Sequence, residues 1–198
     1  MVGETRNLIT QALFQSVLIV ASILMALAFD EWREELEEDE LVDRALYKFK
    51  LEIQQNTARL EGASPFNAGL LEFLQKSVAA GDISDVRQLT QMVQGFEPAI
   101  LERTAWDTAV ATGALAKMDY ETANKLSFTY SLQLRFTDEH QFNVEQMENR
   151  IPLANDNVGF LSMQAVKRFA KVNEAGTELQ VIYGEVGGLL ADIEEPQD

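Results

Sequence analysis

Residues 8–29 read LITQALFQSVLIVASILMALAF, a run of 22 residues without a charge, a proline or a glycine. At about 1.5 Å per residue a helix of that length reaches roughly 33 Å, and the hydrocarbon core of a bilayer is about 30 Å thick. A single segment can enter lipid only as a helix, because every backbone N–H and C=O must be satisfied within it. The sequence therefore predicts an N-terminal transmembrane anchor over residues 1–30. Two other readings compete with it. Ala26-Leu27-Ala28 has the small-x-small form of a signal-peptide cleavage site. The apolar stretch is longer than a usual signal core, however, and Arg6 is the one basic residue before it. A buried core helix is the second alternative, and so long an uncharged run is uncommon in a domain of this size.

Trp32 lies just past the run, where an interfacial aromatic anchor belongs. Arg6 and Arg33 nearly balance across the segment. The free amino terminus and the acids after Phe29 tip the expected orientation to N-terminus inside, body outside. At about 100° per residue, Gln11, Gln15, Ser22 and Ala26 share a stripe about 60° wide. Glutamines in lipid need partners, and small residues allow close approach, so this stripe is the expected face toward another membrane helix. A plainer reading leaves Gln11 among the headgroups with Gln15 reaching toward it.

Beyond the apolar run the chain turns acidic. Residues 30–44 hold nine acids and two bases, and no proline or glycine occurs from Asp30 to Glu61. The first helix is therefore expected to run outward unbroken, about 80 Å from Arg6 to Leu60. The acids read as a solvated face. Within this stretch Val42, Leu46, Phe49, Ile53, Asn56 and Leu60 form a seam with alternating four- and three-residue spacing. That is the pattern of coiled-coil packing, in which Asn56 would set register, and it equally suits a bundle helix.

Residues 61–65, Glu-Gly-Ala-Ser-Pro, predict a break, with Ser64 capping the next helix and Pro65 in its first turn. A helical-bundle domain is expected over residues 62–193, with a polar tail over 194–198. Phe66, Leu70, Phe73, Leu74 and Val78 mark one amphipathic face. Ser84 is the expected cap of a short helix carrying Val86, Leu89, Met92 and Val93. Thr104 or Asp107 would cap a helix containing Trp106, and Gly113 allows a tight turn after it. Asp119 would cap a long helix to about Arg150 with Ala123, Leu126, Tyr130, Leu134, Val144, Met147 and Ile151 inward, ended by Pro152. A further helix over about 155–173 would bury Phe160, Met163, Val166 and Phe169. Gly176 would interrupt it before a last helix carrying Leu179, Ile182, Val186, Leu189 and Leu190. No stretch alternates like a strand, and the fold class is all-α.

Chemistry is sparse. The chain has no cysteine, which excludes disulfides, thiol catalysis and cysteine-based metal sites. Its single histidine, His140, follows Asp138 and Glu139, but adjacent helical residues point about 100° apart and do not converge. Glu145 and Glu148 are paired acids on an acidic helix. No phosphate loop, dinucleotide fingerprint or nucleophile elbow occurs. A formal net charge of -16 argues against nucleic-acid binding. An enzyme using Asp107, Asp119 or Glu145 would need two of them to meet in a cleft.

Residues 18–35, LIVASILMALAFDEWREE, and 105–121, AWDTAVATGALAKMDYE, together resemble a group of uncharacterised bacterial single-pass membrane proteins, a domain-of-unknown-function family. The shared features fall on Trp32, Trp106, Thr112, Gly113, Leu115 and Met118, with stronger acidity after Trp32 than in many relatives. The resemblance implies an architecture rather than an activity. The expectation is a non-enzymatic, single-pass protein of the bacterial inner membrane, N-terminus cytoplasmic and bundle periplasmic. It would serve as an accessory or scaffolding subunit, or assemble with itself through its first helix. Its partners would be membrane proteins and lipid, not nucleic acid, and it would use no cofactor. The rival expectation is an extracytoplasmic sensor with an apolar pocket near Trp106 and Tyr130.

Overall fold

In a computed structural model the backbone is described for residues 2–83, 85–96, 99–150 and 157–197; the side chains of 2–14, 17, 86 and 139–150 are outside the description. The described residues form six helices and no strand: α1 (Val2–Ala80), α2 (Val86–Gln94), α3 (Thr104–Thr112), α4 (Ala114–Lys117), α5 (Tyr120–Arg150) and α6 (Val158–Leu189). The all-α class expected from the sequence is therefore what the chain adopts.

α1 is the axis of the molecule. Its 79 residues extend about 118 Å at about 1.5 Å per residue. The predicted break at 61–65 does not occur, and Pro65 lies inside the helix. Proline removes one backbone hydrogen bond and costs about 3 kcal/mol in a helix interior. Burial on both sides of it holds the helix together: Leu60, Asn67, Leu71 and Leu74 all face the core. Ser64 does not cap a new helix; its hydroxyl donates to the Leu60 carbonyl at 2.7 Å. The boundary expected between a juxtamembrane helix and a separate bundle is thus crossed by one continuous element.

Two apolar clusters stack along α1. The first joins Phe49, Ile53 and Leu60 to Ala105, Ala109, Met118, Leu126, Tyr130, Tyr183 and Val186. The second joins Leu71 and Leu74 to Leu89, Val93, Phe96, Leu161, Ala165 and Phe169. Phe96 and Phe169 stack there at 3.7 Å. α6 runs antiparallel to α1. Lys50 donates to the carbonyls of Ala191 and Ile193 at one end of the pair, and Gln180 bonds Ser64 further along.

Several expected details differ. α6 passes through Gly176 without interruption. A β-carbon at Gly176 would sit 3.3 Å from the Phe136 ring, so glycine here permits close helix packing instead of ending a helix. Phe160 and Met163 face outward, because the buried register of α6 is Leu161, Ser162, Ala165, Phe169 and Val172. Leu134, Leu189, Phe66 and Phe73 are likewise exposed. α2 is capped by Asp85, whose side chain accepts from Arg87 N–H; Ser84 lies outside the described residues. The expectations for Val144, Met147, Ile151 and Pro152 also fall outside them. Asp119 caps α5 as expected, accepting from Thr122 N–H at 3.0 Å. Gly113 closes α3 in the left-handed region, with φ 78°.

The N-terminal part of α1 packs against nothing among the described residues. Large apolar side chains from Leu18 to Phe29 are each more than half exposed. Among the described residues no helix is long and apolar enough to cross a membrane. The side chains at positions 8–14 and 17 of the expected anchor lie outside that description.

Candidate functional site

The two sites with a defined arrangement both lie where α3 crosses α1. The first is a buried polar network. Glu52, Asn56 and Gln133 are each more than nine-tenths buried in the middle of the first cluster. One carboxylate oxygen of Glu52 accepts the Tyr130 hydroxyl at 2.6 Å, and the other accepts the Ala105 N–H at 2.8 Å. Neither Thr104 nor Asp107 caps α3. Arg103 holds the cap position without a capping bond from its side chain, and the α1 carboxylate meets the open N–H instead. A carboxylate at a helix N-terminus also opposes the positive end of its dipole. Asn56 clamps the chain before α3 twice, donating to the Glu102 carbonyl at 2.7 Å and accepting its N–H at 2.8 Å. Gln133 donates to the same carbonyl and accepts the Tyr183 hydroxyl at 2.7 Å.

The surroundings keep both phenols protonated. Burial raises the Tyr130 hydroxyl far above the usual phenol range, and the bond to the Glu52 carboxylate raises it further. Burial does the same to Tyr183, opposed in part by Asn56. Trp106 stacks on Tyr130 with ring centroids 5.3 Å apart, and Phe49 packs on its other flank at 5.6 Å.

The second site is a groove of about 650 Å³ between α1 and α3. Leu41, Ala45, Leu51, Ala105 and Ala109 give its apolar surface. Arg44, Lys48, Gln55, Glu102, Thr104, Thr108 and Thr112 surround that surface, and Glu52 forms part of the same lining. The groove is not lined by Trp106 or Tyr130, which fill the space where a pocket was expected.

The predicted site residues fall into distinct environments. Of the proposed membrane-helix face, Gln15, Ser22 and Ala26 are exposed and Gln11 lies outside the described side chains. Ser22 returns its hydroxyl to the Leu18 carbonyl at 2.8 Å. Trp32 is exposed and meets Phe29 edge-on at 5.7 Å. The seam is consumed within the chain. Phe49, Ile53, Asn56 and Leu60 are buried against α3, α5 and α6, with Val42 and Leu46 partly buried beside them. Trp106 and Leu115 pack against the first cluster, Gly113 makes the α3–α4 turn, and Thr112 lines the groove. Asp107 pairs with Arg103 on the surface at 2.9 Å, and Asp119 is occupied as a cap. The two carboxylates do not meet. His140, Glu139, Glu145 and Glu148 lie outside the described side chains. Among the described residues no group of three His, Cys, Asp or Glu side chains is placed to hold a metal ion.

Sequence reasoning missed Glu52, Gln133 and Tyr183. Glu52 does carry a signal, since it stands beside Phe49 and Ile53 and one turn before Asn56, an uncommon place for a carboxylate to remain solvated. No protein-family model, no curated protein and no solved structure matches the chain.

Proposed function

We propose that this chain is a non-enzymatic, single-pass membrane protein whose helical bundle serves as an accessory or scaffolding element of a membrane assembly. One observation carries the reading. The helix that forms the axis of the bundle carries, over residues 18–29, exposed large apolar side chains on every side, including Leu18, Ile19, Val20, Ile23, Leu24, Met25 and Leu27. A helix apolar around its whole circumference is stable where lipid or other apolar helices surround it. The uncharged run in the sequence is long enough to span a bilayer, and Trp32 sits at its outer edge. The resemblance to single-pass bacterial membrane proteins agrees with this reading, which puts the chain in a bacterial inner membrane with the bundle outside.

The acids that follow do not need a second chain to be explained. Arg33–Glu37 and Arg44–Glu40 form exposed pairs one helical turn apart, Glu38 pairs with Lys117 of α4, and the remaining carboxylates face solvent. Assembly would run through the 8–29 segment and the outer surface of the bundle, because the seam over 42–60 is already used.

Extraction with alkaline carbonate tests the anchor: the chain should stay in the membrane pellet, and release into the supernatant overturns the reading. Gentle purification from native membranes tests the assembly. Other subunits or further copies of the chain should co-migrate; a lone monomer would refute the scaffolding role while leaving the anchor intact.

A further inference from the structure

We propose that the α1–α3 groove is a binding site for a small monoanionic amphiphile, a medium-chain carboxylate. The groove's volume of about 650 Å³ is that of a small-molecule site, and its surface combines apolar floor with a few polar groups.

The charges of the lining sort themselves. Glu52 already accepts two hydrogen bonds, Glu102 is paired with Arg59 at 2.5 Å, and Arg44 is paired with Glu40 at 2.9 Å. Lys48 has no ion pair or hydrogen bond among the described residues, and its ammonium lies over the ring of Tyr47, 5.9 Å from the centroid. Of the two cations in the lining, Arg44 and Lys48, it is the one without an acid beside it. Two hydroxyls in the lining are also without a hydrogen bond among the described residues, those of Thr104 and Thr108. Thr108 is the more telling. Thr57, Thr112, Thr129, Thr137 and Thr177 all return their hydroxyls to the carbonyl four residues back. Thr108 sits within a helix and does not.

Lys48, Thr104 and Thr108 thus line the same groove with side chains that are bonded to no other described residue and are free to turn to a ligand. Together they match the two oxygens of a carboxylate, which takes charge-assisted bonds from an ammonium and ordinary ones from hydroxyls. A dianion such as a phosphate monoester fits less well, because Glu52 and Glu102 stand in the same lining and only one cation there lacks a partner. Ala45, Ala109 and Leu41 offer an aliphatic tail a surface that no polar ligand would fill.

Equilibrium dialysis with radiolabelled octanoate tests the site. The full chain would be held in nanodiscs, with empty nanodiscs as the blank, or in buffer if it stays dispersed without them. The second case would defeat the membrane reading and leave this test unaffected. The expected result is saturable, one-to-one uptake in excess of the blank, with octanol and acetate each at least about tenfold weaker. Lys48→Gln should weaken octanoate at least about tenfold, the loss of one charge-assisted bond, while Lys48→Arg retains binding. Thr108→Trp, at an exposed position, should fill the groove and abolish uptake, with an unchanged circular dichroism spectrum showing that the fold survives. No uptake above the blank overturns the proposal. So does uptake that is indifferent to Lys48→Gln and Thr108→Trp, or octanol binding as tightly as octanoate.

Discussion

Replacing Glu52 probes the device that joins α3 to α1. Glu52→Ala strands two buried donors, the Ala105 N–H and the Tyr130 hydroxyl. A buried donor left without its partner costs about 1–3 kcal/mol. Glu52 borders the groove, so water can reach part of the vacancy, and the sum falls at about 2–4 kcal/mol. For a chain near 200 residues each kcal/mol moves the melting temperature by about 2–4 °C, which places the drop at roughly 5–15 °C. Glu52→Gln keeps the shape. Its amide oxygen can still accept the Ala105 N–H, but its amide nitrogen then faces the Tyr130 hydroxyl, whose proton is left without its acceptor. It strands one donor where alanine strands two, a loss of about 1–2 kcal/mol and a few degrees. Thermal melts followed at 222 nm on the full chain read both values. Adding Tyr130→Phe to each completes a double-mutant cycle, in which the Glu52–Tyr130 pair should show a coupling of about 1–2 kcal/mol. Melting curves of Glu52→Ala and Glu52→Gln that coincide with the parent would refute a buried carboxylate bridging two helices.

Pro65→Ala should stabilise the chain by up to about 3 kcal/mol, since α1 is continuous there; destabilisation in the same melts would mean that the proline ends a helix after all. Gly113→Ala should cost about 1–2 kcal/mol, because a β-carbon is forced into the left-handed region although space around it is open, and an unchanged melting temperature would contradict the φ of 78°. Alkali should weaken the fold. The folded phenols of Tyr130 and Tyr183 hold their protons above the unfolded value near 10, so the unfolded chain binds fewer protons there and stability falls as pH rises past about 10, by about 1.4 kcal/mol per pH unit for each phenol. Below that pH their contribution is complete. Tyr183→Phe, compared with the parent from pH 9 to 11.5, should show the shallower loss, and parallel curves would refute the assignment.

The helical class could be read from the sequence because apolar spacing reports helices directly. The seam from Val42 to Leu60 picked out the core-facing stripe of α1 for the same reason. What it faces could not be read, because periodicity shows that a stripe must be covered and not by which element. The break misread at Pro65 has a local cause. Gly62, Ser64 and Pro65 together are a sound stop signal, and tertiary burial of Leu60, Asn67 and Leu71 outweighs it. Gly176 is misread in the same sense: its meaning lies in the Phe136 ring on α5, 40 positions earlier in the chain. The slip at Phe160 and Met163 reflects the small Ser162 and Ala165, which face inward without looking like core residues. Glu52 shows the general limit. Its place beside Phe49 and Ile53 hints at burial, but its partners Ala105 and Tyr130 come from two other helices, and nothing local says what it meets.

The absence of a joint in α1 ties the bundle's bearing to the phase of one helix. Adding a single residue between Asp30 and Glu37 would turn the whole bundle by about 100° relative to the apolar end and lift it by about 1.5 Å. Seven added residues would nearly restore the heading, about 20° short of it, at a height greater by about 10 Å. Surfaces far apart on the bundle would therefore change neighbours together when that short acidic stretch changes length.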